Sequence, residues 1–152
     1  MTQRKINYRV EGVNWQDHQQ TLRQIRQQVF IEEQGVSVED EWDNHDLGAW
    51  HFLLHNDLQA IGCARVVHEL SDTNPALHIG RVAVLKPFRA QRAGHSLMKT
   101  VIRTCLKHHP NARLYLHAQT TVTGFYTRLG FRTEGEVFMD AGIPHIAMTY
   151  YE

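Results

Sequence analysis

The chain has 152 residues, the length of one compact domain that buries roughly two-thirds of its unfolded surface and needs no disulfide or metal staple. Apolar residues make up 42% and charged residues 21%, which excludes a disordered chain; 16 basic against 16 acidic residues leave no net positive field, so no nucleic-acid partner is expected. No segment approaches the ~18 apolar residues of a membrane span, and the opening MTQRKINYRV lacks an apolar signal core, so a cytoplasmic protein with no membrane partner is expected.

Residues 6–13 alternate weakly and predict a first strand. Asp17 is the candidate cap of a helix reaching about Phe30, with Leu22, Ile25, Val29 and Phe30 on one face. The stretch EEQGVSVEDEWDNHDLG predicts an acidic loop. Residues 50–55 and 59–68 read as two strands around the Asn56-Asp57 turn. Residues 77–85 form a strand ended by Lys86-Pro87, and 89–107 a helix with Leu97, Val101, Ile102, Cys105 and Leu106 as its apolar stripe. Residues 113–119 alternate cleanly. Residues 122–129 read as a short helix closed by Gly130, followed by strands at 132–138 and 145–150 across a DAGIP turn.

The order β-α-β-β-β-α-β-α-β-β predicts an α/β fold, one mixed central sheet flanked by helices, as a single domain over 1–152. Cys63 and Cys105 sit in apolar periodic segments, which predicts buried thiols. The order of a calcium loop is absent from the acidic stretch, so no metal is expected. The eleven histidines add positive charge below about pH 6.5.

Residues 81–98, RVAVLKPFRAQRAGHSLM, run from a β-branched strand through a tight turn into a helix. A helix start offers unpaired N–H groups and a partial positive charge, together an anion site. Gly94 removes a side chain there, Arg89 and Arg92 add charge, and Ser96 adds a hydroxyl. The spacing is neither GxxxxGK[ST] nor GxGxxG, which excludes the nucleoside-triphosphate loop and the dinucleotide fingerprint.

Arg89-Ala90-Gln91-Arg92-Ala93-Gly94 resembles the acyl-CoA pyrophosphate loop Q/R-x-x-G-x-G/A of the GNAT N-acetyltransferases, with the first glycine replaced by Arg92. Arg92 either crowds the diphosphate or swings away and pairs with it, and pairing is the favoured reading. LYLHAQTTVTGFYTRLGF, residues 114–131, resembles the family's segment ending Y-x-x-x-G-F, here Tyr126 to Phe131, with Gln119 where the family often has Asn. The stretches LRQIRQQVFIEEQGVSVEDEWDNHD, IGRVAV and DAGIPHIAM are similar to the ElaA-like branch of that superfamily.

The resemblance implies the GNAT fold, acetyl-CoA as cosubstrate, and an amine acceptor that is a small molecule or a peptide. It leaves a homodimer open. It further implies that Val82, Ala83 and Val84 hold the pantetheine arm through their backbone. Residues 89–94 with His95 and Ser96 would cradle the diphosphate, and Gln119, Phe125 and Tyr126 would complete the coenzyme site. Tyr126 would point at the thioester sulfur, where a phenol of pKa about 10 protonates a departing thiolate of pKa about 8.5.

A neutral amine is the nucleophile, so a base or desolvation is needed. His117, on the polar face of its strand, ranks first, ahead of His51, Glu33, Glu41, Asp43, Asp46 and His145. A water chain without a dedicated base is the alternative. Seven carboxylates between Glu32 and Asp46, with Trp42 among them, read either as an exposed loop or as a guide for a cationic amine. Two other functions fit the same signals: an acyl-homoserine-lactone synthase, and an acyl-CoA-binding regulatory domain without turnover.

Overall fold

The computed structural model describes residues 6–152, so the first five positions of the expected domain lie outside it. Seven strands form one sheet: β1 (Arg9–Val13), β2 (Trp50–His55), β3 (Ala60–Glu69), β4 (Ala76–Val84), β5 (Arg113–Gln119), β6 (Phe131–Asp140) and β7 (Ile143–Tyr150). Their order across the sheet is β1-β2-β3-β4-β5-β7-β6, and only the β4–β5 pair is parallel. Four α-helices flank it: α1 (Trp15–Arg26), α2 (Val38–Glu41), α3 (Ala93–His108) and α4 (Thr123–Leu129). The expected mixed sheet and element order are therefore found, with one helical turn more than expected.

Alternation along the strands sends neighbouring side chains to opposite faces. Leu54, Ile61, Leu77 and Leu116 pack with Leu97, Met98 and Val101 of α3, while Leu53, Cys63 and Ala83 pack beneath Leu22 and Ile25 of α1. Both cysteines are buried and free, as expected. Burial pushes the Cys63 thiol up to about 12, which makes it inert.

Three local readings are corrected. Asn14, not Asp17, caps α1: its side chain accepts the Asp17 N–H at 2.7 Å. The helix does not stop near Phe30 but continues as a π-helical segment, Gln27–Glu33, whose wider turn ends with the Val36 N–H bonded to the Phe30 carbonyl at 2.8 Å. Helix α3 begins at Ala93 rather than Arg89, because Ala90 (φ 67) and Arg92 (φ 61) are left-handed and cannot continue an α-helix. Gly130 closes α4 at φ 110 as expected, and a Cβ there would come within 2.9 Å of the Tyr150 ring. Ala141 and Gly142, both at positive φ, make the two-residue turn between β6 and β7.

The feature that positions the site is a parting of two strands. The β4–β5 ladder runs only from Ala76↔Arg113 to Ile79↔Leu116. Beyond it, β4 pairs with β3 alone and β5 with β7 alone. A bulge in β4 turns it away: Cys63 faces Ala83 and Arg65 faces Gly80, so Arg81 and Val82 together oppose Ala64. Arg81 takes φ 49 to do so, a left-handed conformation costing about 1–2 kcal/mol in a non-glycine residue.

Candidate active site

The parted strands open a cleft of about 1280 Å³. Val82, Ala83, Val84, Arg89, Ala90, Arg92, Ala93, Gly94, His95, Gln119, Phe125, Tyr126 and His117 all line it. Gln91 and Ser96, expected among them, do not. Gln91 instead anchors the loop, its carbonyl accepting the Tyr8 hydroxyl at 2.8 Å.

The start of α3 faces the cleft without a side-chain cap. The first N–H groups of this 16-residue helix are left for another acceptor. Arg92, exposed at its head, has no ion-pair partner among the described residues. Arg89 does: its guanidinium grips Glu33 through two hydrogen bonds of 2.6 and 2.8 Å, and its Nε donates to the Val84 carbonyl at 2.8 Å. It acts as a clasp between the π-helical segment and the end of β4. The same link holds Glu33 below the usual carboxylate range. Gly94 also makes room for a neighbouring ring. A Cβ there would meet the Phe125 ring at 3.2 Å, so its missing side chain admits Phe125. Gln119 donates to Gln34 at 3.0 Å, tying β5 to the far end of the π-helical segment.

Tyr126 is buried on α4, edge-on to Phe125 (5.0 Å) and Phe131 (6.0 Å). Among the described residues its hydroxyl has no hydrogen-bond partner, and burial pushes its pKa above that of an ordinary phenol. It is a protonated donor awaiting an acceptor. His117 stands exposed in the cleft, edge-on to His78 (4.6 Å) and Phe138 (5.0 Å). Partial burial lowers its pKa most, with His145 adding to the effect while Asp140 and Glu69 oppose it. Its imidazole is therefore neutral at neutral pH and able to accept a proton.

His78 was not singled out from sequence. It stacks on Tyr115 at 4.4 Å, and its Nδ1 lies 3.7 Å from Glu69. Burial, then His117, drive its pKa down to about 4. The signal was present: it is the polar position between buried Leu77 and Ile79.

The other base candidates, His145 apart, are otherwise occupied. His51 is buried, bonded to the Asp46 carbonyl at 2.7 Å and tilted against Trp15. Glu33 serves Arg89, and His145 bonds through Nδ1 to the Ile143 carbonyl at 2.7 Å. Glu41, Asp43 and Asp46 belong to an internal network. Arg26 binds Glu41 and Asp46 (both 2.7 Å), Arg65 binds Asp43 (2.7 Å) and Asp46 (3.1 Å), and Arg81 binds Glu41 (3.0 Å) and Asp43 (3.1 Å). Burial raises the Asp43 pKa, but Arg65 and Arg81 outweigh it and hold the carboxyl down to about 2. Glu33, Glu41, Asp43 and Asp46 are thus spent on internal ion pairs, while Glu32, Glu39 and Asp40 stay exposed, and both α2 and its Ser37 cap sit within the stretch. Trp42 is taken as well: Arg23 and Arg26 lie 4.8 and 4.9 Å from its ring centre. The reason is tertiary, since the three arginines come from α1, β3 and β4. Among the described residues no group of three or more His, Cys, Asp or Glu side chains is placed to hold a metal.

A splayed β4–β5 pair with an uncapped helix start and a buried tyrosine lining one cleft define an acyl-CoA N-acyltransferase architecture. The sequence matches the Acetyltransferase (GNAT) domain over residues 13–152, and the chain belongs to that family. It is 34% identical to Protein ElaA of Escherichia coli over 147 residues, covering 90% of this chain and 95% of that protein. The crystal structure of Escherichia coli ElaA superposes with a TM-score of 0.83 over 96% of this chain and 99% of that one, at 29% identity. An acyl-CoA N-acyltransferase from Pseudomonas aeruginosa superposes with a TM-score of 0.79 at 26% identity, over 96% and 99% of the two chains.

Proposed function

We propose that the protein transfers the acetyl group of acetyl-CoA to a primary amine, in the cytoplasm, as a single domain spanning 1–152. The observation that carries this reading is the open β4 edge, which shares one cleft with an uncapped helix start and with Tyr126. These residues fit the coenzyme: anionic diphosphate against the α3 N–H groups and Arg92, and pantetheine amides along Val82, Ala83 and Val84. When bound, the coenzyme supplies a thioester as acetyl donor.

The chain's own residues then act in turn. A backbone N–H near Val84 stabilises the oxyanion formed as the amine nitrogen bonds to the carbonyl carbon, an interaction of about 2.7–4 kcal/mol in comparable sites. His117 accepts the proton lost by the amine. Tyr126 donates its proton to the sulfur as the carbon–sulfur bond breaks, and is reprotonated from solvent as His117 releases its own.

The test is thiol release from acetyl-CoA across a panel of amines. Tyr126→Phe is expected to lower kcat by about 10²-fold or more, with little change in the KM for acetyl-CoA. Equal turnover by both proteins removes Tyr126 from this role. Coenzyme binding without thiol release from any amine would favour the regulatory reading instead, and product formation from S-adenosylmethionine with an acyl carrier would favour the lactone synthase.

A further inference from the structure

The cleft is electrically lopsided. At the α3 end it is lined by Arg92 and Arg128, neither of which has an ion-pair partner among the described residues. At the far end Arg65 and Arg81 are held by Glu41, Asp43 and Asp46. Glu69 and Asp140 also line the cleft, and among the described residues no arginine or lysine pairs with their carboxylates. Glu69 is fixed in place by the Tyr115 hydroxyl, which donates to both of its oxygens at 2.7 and 2.6 Å. Both carboxylates act on His117, which places it in the field of each.

Between these carboxylates runs a row of rings. Tyr115 stacks on His78, which meets His117, which meets Phe138, which stacks over His145, at centroid distances of 4.4, 4.6, 5.0 and 6.0 Å. Of this row His78, His117 and His145 line the cleft, so a further flat ring placed there meets imidazole rings it can stack against. A carboxylated acceptor would meet uncompensated like charge.

Resting on the acetyl-transfer reading, we propose that the acceptor is an arylalkylamine: a protonated primary amine on a short chain attached to a flat aromatic ring. The ring lies against the cleft-lining imidazoles of His78, His117 and His145. The ammonium group is drawn in by Glu69 and Asp140, and His117 between them takes its proton.

The experiment measures thiol release by the full chain with acetyl-CoA and four acceptors: phenethylamine, butylamine, 1,4-diaminobutane and phenylalanine. Phenethylamine is expected to exceed the two ring-less amines by about tenfold in kcat/KM, and phenylalanine by about a hundredfold. His78→Ala should erase the preference for a ring. Asp140→Asn should raise the KM for phenethylamine several-fold and narrow the gap to phenylalanine. Equal or better turnover of the diamine or of phenylalanine overturns the inference, as does a ring preference that survives His78→Ala. Where no amine is turned over, saturation-transfer NMR with coenzyme A present reads binding of the same four compounds. A preserved preference for phenethylamine then upholds this acceptor site while sinking acetyl transfer, and no preference sinks the site itself.

Discussion

Arg92 occupies a backbone conformation that suits glycine. Its φ of 61 costs about 1–2 kcal/mol for a residue with a Cβ, and the helix it heads gains no side-chain cap in return. A residue held so is explained if its guanidinium pairs with the coenzyme diphosphate. Arg92→Gly is therefore expected to raise stability by up to about 1 kcal/mol, part of the relief being offset by the greater freedom of glycine in the unfolded chain. The same change should weaken acetyl-CoA binding by about fivefold, through loss of one charge-assisted contact. Denaturant unfolding and calorimetry on the one variant check both. Tighter coenzyme binding would mean that Arg92 crowds the site.

At the level of elements, the ionic network decides where the segment carrying α2 lies. Arg26 joins α1 to Glu41 and Asp46, while Arg65 and Arg81 join the same carboxylates to β3 and β4. Desolvation of three buried pairs offsets most of their mutual attraction, so the network specifies placement more than it adds stability. Breaking it is a different matter. Arg26 is 1% exposed and donates three hydrogen bonds, two to carboxylates and one to the Glu41 carbonyl. Arg26→Met is expected to cost about 3 kcal/mol, because Glu41 keeps a buried charge with one partner fewer. Denaturant titration reads the loss, and faster amide exchange across residues 38–46 locates it.

The whole molecule carries its histidines as an acid-sensitive load. His78 is driven to about 4, and burial also lowers His51, His68 and His117. Below the unfolded value near 6.5 the unfolded chain binds more protons than the folded one, so stability is full above that pH and falls as pH drops toward 4. His78 alone accounts for up to about 3 kcal/mol of this loss. The Asp43 contribution disappears only later, between 3.8 and about 2. Unfolding free energy measured at pH 7.5 and 5 is expected to drop clearly for the native chain and less for His78→Phe. An equal drop in both would assign the sensitivity elsewhere.

Where consecutive residues leave one conformation open, the sequence by itself determined the outcome. The alternation of 113–119, the apolar stripe of α3 and the glycine that ends α4 follow from backbone periods of two and 3.6 or from one turn's chemistry, whereas the Y-x-x-x-G-F segment bearing Tyr126 was legible through its resemblance to the family. Local signals also misled where two conformations were open to the same residues: the chain from Arg89 to Arg92 has ordinary helix formers, yet two of them are left-handed. Only the tertiary structure decided which charges are spent. Arg89 reaches Glu33 across 56 positions and Gln119 reaches Gln34 across 85, and both contacts exist because β4 and β5 part beyond Ile79 and Leu116. The acidic stretch shows the reason most plainly. Seven carboxylates look alike along a chain, but a buried carboxylate survives only where folding brings it a guanidinium, and those arrive from three separate elements.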